Sequence, residues 1–317
     1  MFGGIDLGGT KIEAALFDSN FGLINAHRVT TPSSYGALVD ALVAQYDWLR
    51  DTAGVRQLPL GIGIPGVVDR ASGLSVTANL PATGMPLVAD LSNRLGFSVP
   101  FENDCKCFAL SEANGGAADG YETAFGLILG TGCGGGVCHR GALVLGRNGL
   151  PGEVGHFGLP MELAMSLNLP HLRCGCGRSG CYETLISGPG MSALACHLTK
   201  TRASPEQIAV GAANQDDAMG RVFSVWLEIA CELLHTIQLT IDPDCVVLGG
   251  GLSRIDGIAA KLSQRFALRR VEGIAGPEIV AARFGDSSGV RGAAMLALPD
   301  RGVVGQGWMT AAVTLER

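Results

Sequence analysis

The chain twice writes the same short phrase: an apolar strand, a turn made almost wholly of glycine and threonine, and a second strand leading away. The first copy runs Gly3-Gly4-Ile5-Asp6-Leu7, then Gly8-Gly9-Thr10, then Lys11–Asp18. The second runs Ala124–Leu129, Gly130–Gly136, Val137–Leu145. Bare glycines between apolar strands fold as tight hairpins and leave backbone N–H groups free to approach a ligand. One hairpin opening each half of the chain predicts two α/β domains of similar layout with a cleft between them.

The intervening segments fit that plan. Asn25–Thr30 reads as a third strand, and 34–51 as a helix with Leu38, Leu42, Val43 and Trp48 at helical spacing. Leu60–Ile64 and Val99–Glu102 read as strands, and Asp104–Ala117 as a helix. The second half adds a long amphipathic helix over Ala218–Thr240, a strand at Cys245–Leu248 and a glycine turn at Gly249–Gly251. A helix from Ser253, a strand at Ile279–Phe284 and a last helix over 287–298 complete it. Strands alternating with helices mean α/β layering, and 317 residues suit two domains. The expected division is 1–118, completed by the last helix, then 119–286, with 299–317 a tail.

Composition excludes several classes. The 47 glycines have no three-residue period, so the chain is not collagen-like. Hydrophobic content of 47%, charged content of 16% and a mean hydropathy of +0.30 exclude disorder. A net charge of −6 with no basic run argues against nucleic acid as a partner. The uncharged stretches 71–89 and 123–138 are interrupted by Pro, Gly, Ser and Thr, so no membrane span is expected. Phe2–Asp6 is too short for a signal peptide, and a cytoplasmic location is expected.

Glycine turns admit several nucleotide chemistries, and spacing prunes them. Gly61–Gly66 and Gly130–Gly135 both fit the dinucleotide pattern G-x-G-x-x-G, which needs a strand before and a helix after. Pro65 interrupts the first match, and a strand follows the second. A Walker A loop fails because none of Lys11, Lys106, Lys200 and Lys261 follows a glycine. What remains is a hairpin that offers N–H groups and a threonine hydroxyl to phosphate, flanked by Asp6 for a metal ion and Lys11 for charge. The simpler alternative is two ordinary tight hairpins.

The ten cysteines are not read as disulfides. His156 followed by Cys174, Cys176 and Cys181 makes a compact set whose three thiolates and imidazole form a tetrahedral zinc shell. Four protein ligands leave no open position, so such a zinc is structural. Cys105, Cys107, Cys133, Cys138, Cys196, Cys231 and Cys245 lack that spacing and are read as core.

Asp6-Leu7-Gly8-Gly9-Thr10-Lys11, Leu129-Gly130-Thr131-Gly132, Leu248-Gly249-Gly250-Gly251 and the Cys/His set together resemble the ROK family of sugar kinases and repressors, from residue 3 to about 297. The resemblance implies an actin-like, ribonuclease H-like ATPase fold. It implies ATP and Mg²⁺ bound by Asp6, Gly8, Gly9, Thr10, Lys11, Thr131, Gly132, Cys133, Gly134, Gly135 and Gly250. Asn103-Asp104 matches the family's Asn-Asp pair, whose Asp is the catalytic base. Its place at a helix start predicts an ionised, low-pKa carboxylate, or merely a helix cap. Where family kinases commonly continue Ala-Asn, this chain has Cys105-Lys106, and the lysine either lowers the base's pKa or points to solvent.

Pro151–His156 resembles the family's sugar-binding motif. The resemblance puts Gly66, Asn79, Asn103, Asp104, Glu153, His156 and Glu183 at the sugar, with His156 also on the zinc. Asn79–Gly84 and Phe108–Glu112 look closest to the bacterial N-acetylglucosamine kinases, whereas 285–294 also resembles the fructokinase branch. The resemblance implies phosphorylation of a hexose, N-acetylglucosamine first, with fructose, mannose or glucose as alternatives. It further implies a homodimer. Family repressors open with a helix-turn-helix, whereas this chain opens on a strand, so a kinase is expected.

Overall fold

The computed structural model describes residues 1–298 and divides the chain into two compact units. The first comprises Met1–Asn114, Gly136–Pro151 and the chain from Ser287; the second comprises Gly115–Gly135 and Gly152–Asp286. The expected tail, 299–317, lies outside the described residues.

The first unit opens as an antiparallel meander: β1 (Phe2–Leu7), β2 (Lys11–Phe17) and β3 (Leu23–Thr30). Helix α1 (Tyr35–Ala53) follows and ends at Gly54 in the left-handed conformation. Strand β4 (Leu60–Ile64) pairs parallel with β1. A small hairpin, β5 (Gly66–Val68) and β6 (Ser75–Thr77), and helix α2 (Leu87–Leu95) lead to β7 (Phe101–Asn103), parallel to β4. Helix α3 (Asp104–Glu112) leaves directly from β7. The sheet order is β3-β2-β1-β4-β7. The buried stripe Leu38, Leu42 and Leu49 of α1 shares one core with Ile5, Leu7, Ile12, Leu60 and Ile62. Parallel pairing brings the carboxyl ends of β1, β4 and β7 to one edge, where α/β sheets bind ligands.

The second sheet runs β10-β9-β8-β11-β12, built from β8 (Thr123–Leu129), β9 (Cys133–His139), β10 (Ala142–Leu143), β11 (Cys245–Gly249) and β12 (Glu278–Ala281). Between β10 and β11 come α4 (Met161–Ser166), α5 (Glu183–Ile186), α6 (Gly188–Thr199), α7 (Pro205–Ala213) and α8 (Asp217–Ile241). Helix α9 (Ile258–Phe266) joins β11 to β12. The starts of α6, α7 and α8 carry side-chain caps: Ser187 accepts from Gly190 N, Ser204 and Gln207 form a capping box, and Asp216 accepts from Ala218 and Met219 N. By length and composition α8 could cross a membrane, but Val222, Trp226, Ile229, Leu233 and Ile237 bury its apolar face within the protein.

The chain then returns to the first unit as α10 (Ser288–Met295), which lies against β1, β4 and α3 at backbone distance. A methyl group at Gly4 would overlap the Val290 carbonyl, one at Gly61 the Ala293 carbonyl, and one at Gly292 the Cys107 carbonyl. Arg291 is buried here and donates to Ser111 O at 2.8 Å and Asn114 O at 3.0 Å. Thus Gly61, part of an apparent dinucleotide pattern, is there to admit a helix.

Several elements differ from their sequence expectation. Helix α3 stops at Glu112, before Gly115-Gly116, not at Ala117. The second returning strand starts at Cys133, inside the glycine run, because Gly135 must pass the Phe125 ring and the Gly126 carbonyl. The helix expected from Ser253 begins at Ile258, after a short 3₁₀ turn over Gly251–Arg254. Of the cysteines read as core, Cys196 is exposed and Cys105 half-buried.

Gly292→Ala tests the α10 contact by sign. Helix propensity alone would make alanine more stable by ~1 kcal/mol, whereas overlap with Cys107 O costs about 1–3 kcal/mol or more. Thermal unfolding should show a lower Tm; a raised Tm would mean α10 does not lie this close to α3.

Candidate active site

Within the first unit, the predicted residues gather at the carboxyl ends of β1, β4 and β7. Asp6 is paired in register with Gly63 of β4, and Ile64 with Asn103 of β7. In the β1–β2 turn Gly8 N donates to Lys11 O at 2.9 Å. Thr31 holds the turn from outside: its Oγ1 donates to Gly8 O at 2.7 Å and its N to Thr10 O at 3.1 Å. Gly9, Thr10 and Lys11 are left exposed, with Asn79 packed against Gly9. Asn79 itself has φ +58°, a left-handed conformation asparagine tolerates well.

Asn103, not Asp104, is the cap of α3. Its Oδ1 accepts from Cys105 N at 3.0 Å while its Nδ2 donates to Gly66 O at 3.2 Å, joining β7 to the β5 strand. Asp104 is the first helical residue, and its Oδ1 accepts from Cys105 N at 2.8 Å. The expectation of a depressed pKa for Asp104 is overturned. Loss of hydration in its recess raises the pKa, and the Cys105 N–H only partly offsets that. Asp6 is pushed to about 7, first by burial, then by the negative charges of Asp104 and Glu13, against opposing pulls from Lys11 and Arg28. Lys106 does not face solvent; it is fully buried with its ammonium on Glu102.

Within the second unit, two glycine turns meet. Gly130 N donates to Gly132 O at 3.0 Å, and Gly188 N donates to Gly130 O at 2.8 Å. Gly250, at φ +80°, packs on the Leu129 carbonyl with no room for a side chain. Thr131 is exposed and Gly132 half-buried, whereas Cys133, Gly134 and Gly135 are buried strand residues.

Beside that turn lies the Cys/His set. The four ligand atoms of His156, Cys174, Cys176 and Cys181 lie within 4.8 Å of one another, a group that could hold a metal ion. The Cys176–Cys181 Sγ separation is 3.7 Å and Cys174 Sγ to His156 Nδ1 is 3.5 Å. A tetrahedral zinc with bonds of about 2.3 Å to sulfur has S–S edges of about 3.8 Å, so the pocket already has the right span. His156 turns Nδ1 to the thiols and Nε2 toward Glu153 Oε2, 3.8 Å away. Glu183 carries a contact its sequence position did not reveal. Its Oε2 accepts from Cys133 N at 3.0 Å, while its Oε1 is 3.7 Å from Cys174 Sγ. The carboxylate therefore straddles the metal loop and the glycine turn.

Residues 2–299 match the ROK family, and the chain belongs to it. An N-acetylgalactosamine kinase, AgaK, of Shewanella sp. (strain ANA-3) is 40% identical over 93% of this chain and 96% of its own. An N-acetyl-D-glucosamine kinase of Yersinia pseudotuberculosis is 41% identical over 95% of this chain and all of its own length. A ROK family glucokinase from Streptomyces griseus, solved with glucose and AMPPNP, superposes with a TM-score of 0.76 at 27% identity, covering 93% of this chain and 98% of that one. The fold is accordingly the actin-like ATPase fold of the ROK sugar kinases.

The raised pKa of Asp6 predicts a pH signature. A carboxyl whose folded pKa lies above its unfolded value favours the fold when protonated, so its stabilising effect is lost as pH rises through about 7. Asp6→Asn removes that loss: its Tm should exceed wild type by ~2 °C or more at pH 8, with the gap closing as pH falls toward 4. A gap independent of pH would contradict the assigned shift.

Proposed function

We propose that the protein transfers the γ-phosphate of ATP to O6 of a 2-acetamido hexose, with N-acetyl-D-glucosamine as the substrate. The observation that carries this reading is the pair of mutually repelling carboxylates, Asp6 and Asp104, at the strand ends beside an exposed glycine turn. A base must hold a proton transiently, and a carboxyl raised above its ordinary pKa does so better than one pinned low by a helix dipole. Asp104 accepts the proton of the attacking hydroxyl. Asp6 would hold Mg²⁺, which supplies charge neutralisation for the transferring phosphate. Gly8–Lys11, Thr131 and Gly132 offer N–H, hydroxyl and ammonium groups to the phosphates, and Gly250 lets the adenosine-side turn approach closely. Gly66, Asn79, Asn103, Glu153, His156 and Glu183 bind the sugar in this reading.

The thiol-rich donor set suits zinc, and four protein ligands make the site structural. Bound there, the ion would fix the imidazole of His156 and the loop that closes at Cys181, two residues before Glu183.

A coupled assay across N-acetylglucosamine, N-acetylgalactosamine, glucose, fructose and mannose tests the substrate. A site built for an acetamido group loses a polar contact and a methyl contact with glucose. N-acetylglucosamine should therefore lead glucose, fructose and mannose by at least ~30-fold in kcat/KM. N-acetylgalactosamine ahead would move the specificity to the 4-epimer, and fructose or mannose ahead would move it to another branch. Asp104→Asn should lower kcat by at least ~10²-fold while sugar affinity stays near normal; a variant keeping half of kcat would leave Asp104 no catalytic part.

Metal analysis should find about one zinc per chain, since one complete shell is present. Cys176→Ser should lose it. Because Glu183 also holds Cys133 N, that loss should raise the KM for both sugar and ATP. Metal-free protein with unchanged affinities would break this link.

A further inference from the structure

Lys106 is fully buried, an expensive place for an ammonium unless it is paired. Its Nζ sits 3.0 Å from Glu102 Oε1 and donates to the carbonyl of Gly149. Each contact leads somewhere specific. Glu102 Oε1 also accepts from Asn103 N at 2.9 Å, so the ion pair anchors the backbone of the residue that caps α3 and holds Gly66 O. Gly149 belongs to the stretch 145–149, which lies outside any strand or helix. That stretch is held instead by two cations. Arg70 Nη1 donates to Gly146 O at 2.5 Å and Arg147 O at 3.1 Å, and Lys106 takes Gly149 O. Gly149 has φ +72°, and a side chain there would meet Lys106 Nζ at 3.6 Å. Charge-assisted bonds to carbonyls are stronger than neutral ones and suit a loop with no ladder of its own.

We propose that Lys106 is a positioning residue for the acceptor sugar: it ties the Asn103 segment to the 145–149 loop and so sets sugar affinity without touching the sugar. The proposal rests on the sugar-kinase reading for its kinetic consequence but not for its structural one. Outside any sheet ladder, the loop is joined to the start of α3 by the Lys106 ammonium, which reaches Gly149 O and Glu102 Oε1 at once.

The test uses Lys106→Met, which keeps length and removes the charge, and the double variant Glu102→Gln/Lys106→Met, which leaves no unpaired buried carboxylate. Both should raise the sugar KM by at least ~10-fold, with kcat and the ATP KM within ~3-fold of wild type, as expected for lost ground-state positioning. Amide hydrogen exchange should quicken in 102–104 and 145–151 but not in α1, a readout that stands even if no hexose is phosphorylated. Lys106→Met should lower Tm and the double variant should recover it. Recovery of the sugar KM along with Tm would overturn the proposal, since Lys106 would then only neutralise Glu102. A loss confined to kcat, or exchange unchanged in both segments, would also overturn it.

Discussion

The contact on which the first unit depends is the backbone-to-backbone seating of α10 on β1, β4 and α3. Gly4, Gly61 and Gly292 are each the site where a methyl group would strike a carbonyl oxygen. Removing side chains at a helix–sheet contact forfeits their apolar burial, but it lets the surfaces meet at carbonyl distance and fill the space with main chain. Around that seat Arg291 fills the acceptors of Ser111 and Asn114, and Ser288 bonds Glu112. The sheet is thereby locked in register, and its strand ends at Asp6, Ile64 and Asn103 stay at one edge.

That rigid edge explains the electrostatics. Asp6 and Asp104 are half-buried and hemmed in by protein atoms; burial raises the pKa of both, and the charge of Asp104 adds to the rise at Asp6. A protein would not place two poorly hydrated carboxylates together for stability, because the charged forms cost folding free energy near neutral pH. Poorly hydrated, closely placed carboxylates of this kind cluster at functional sites. In the second unit the same economy is reached with a thiol cage. A loop holding Cys174, Cys176 and Cys181 carries Glu183 on its exit, and that carboxylate fixes the Cys133 N–H at the glycine turn.

Much of this was legible in the residues. Apolar runs with glycine turns gave β1, β2 and β8, and the Cys/His spacing gave the cluster of His156, Cys174, Cys176 and Cys181, because strand period and ligand spacing are local signals. The helices α6 and α7 were not anticipated, although Ser187 with Pro189 and Ser204 with Gln207 are readable start signals; their apolar faces are short and interrupted by glycine. The purpose of Gly61 and Gly292 was not legible, since it lies in a partner remote in the chain. The same holds for the pKa of Asp104: helix position predicts a low value, and only the surrounding atoms show that burial wins. The 285–294 stretch, which pulled toward another branch, turns out to include the buried face of α10, so its residues serve packing.

The first unit joins Met1–Asn114 and Gly136–Pro151 to α10, and the second unit's sequence falls between its opening and that helix. A ribosome therefore delivers α10 after every other described element. Until Ser288–Met295 emerges, the glycines of β1 and β4 that receive α10 stay uncovered. A premature stop between residues 282 and 287 would thus spare Cys174–Cys181 and strands β8, β11 and β12 but leave the unit of Asp104 without the helix that completes it.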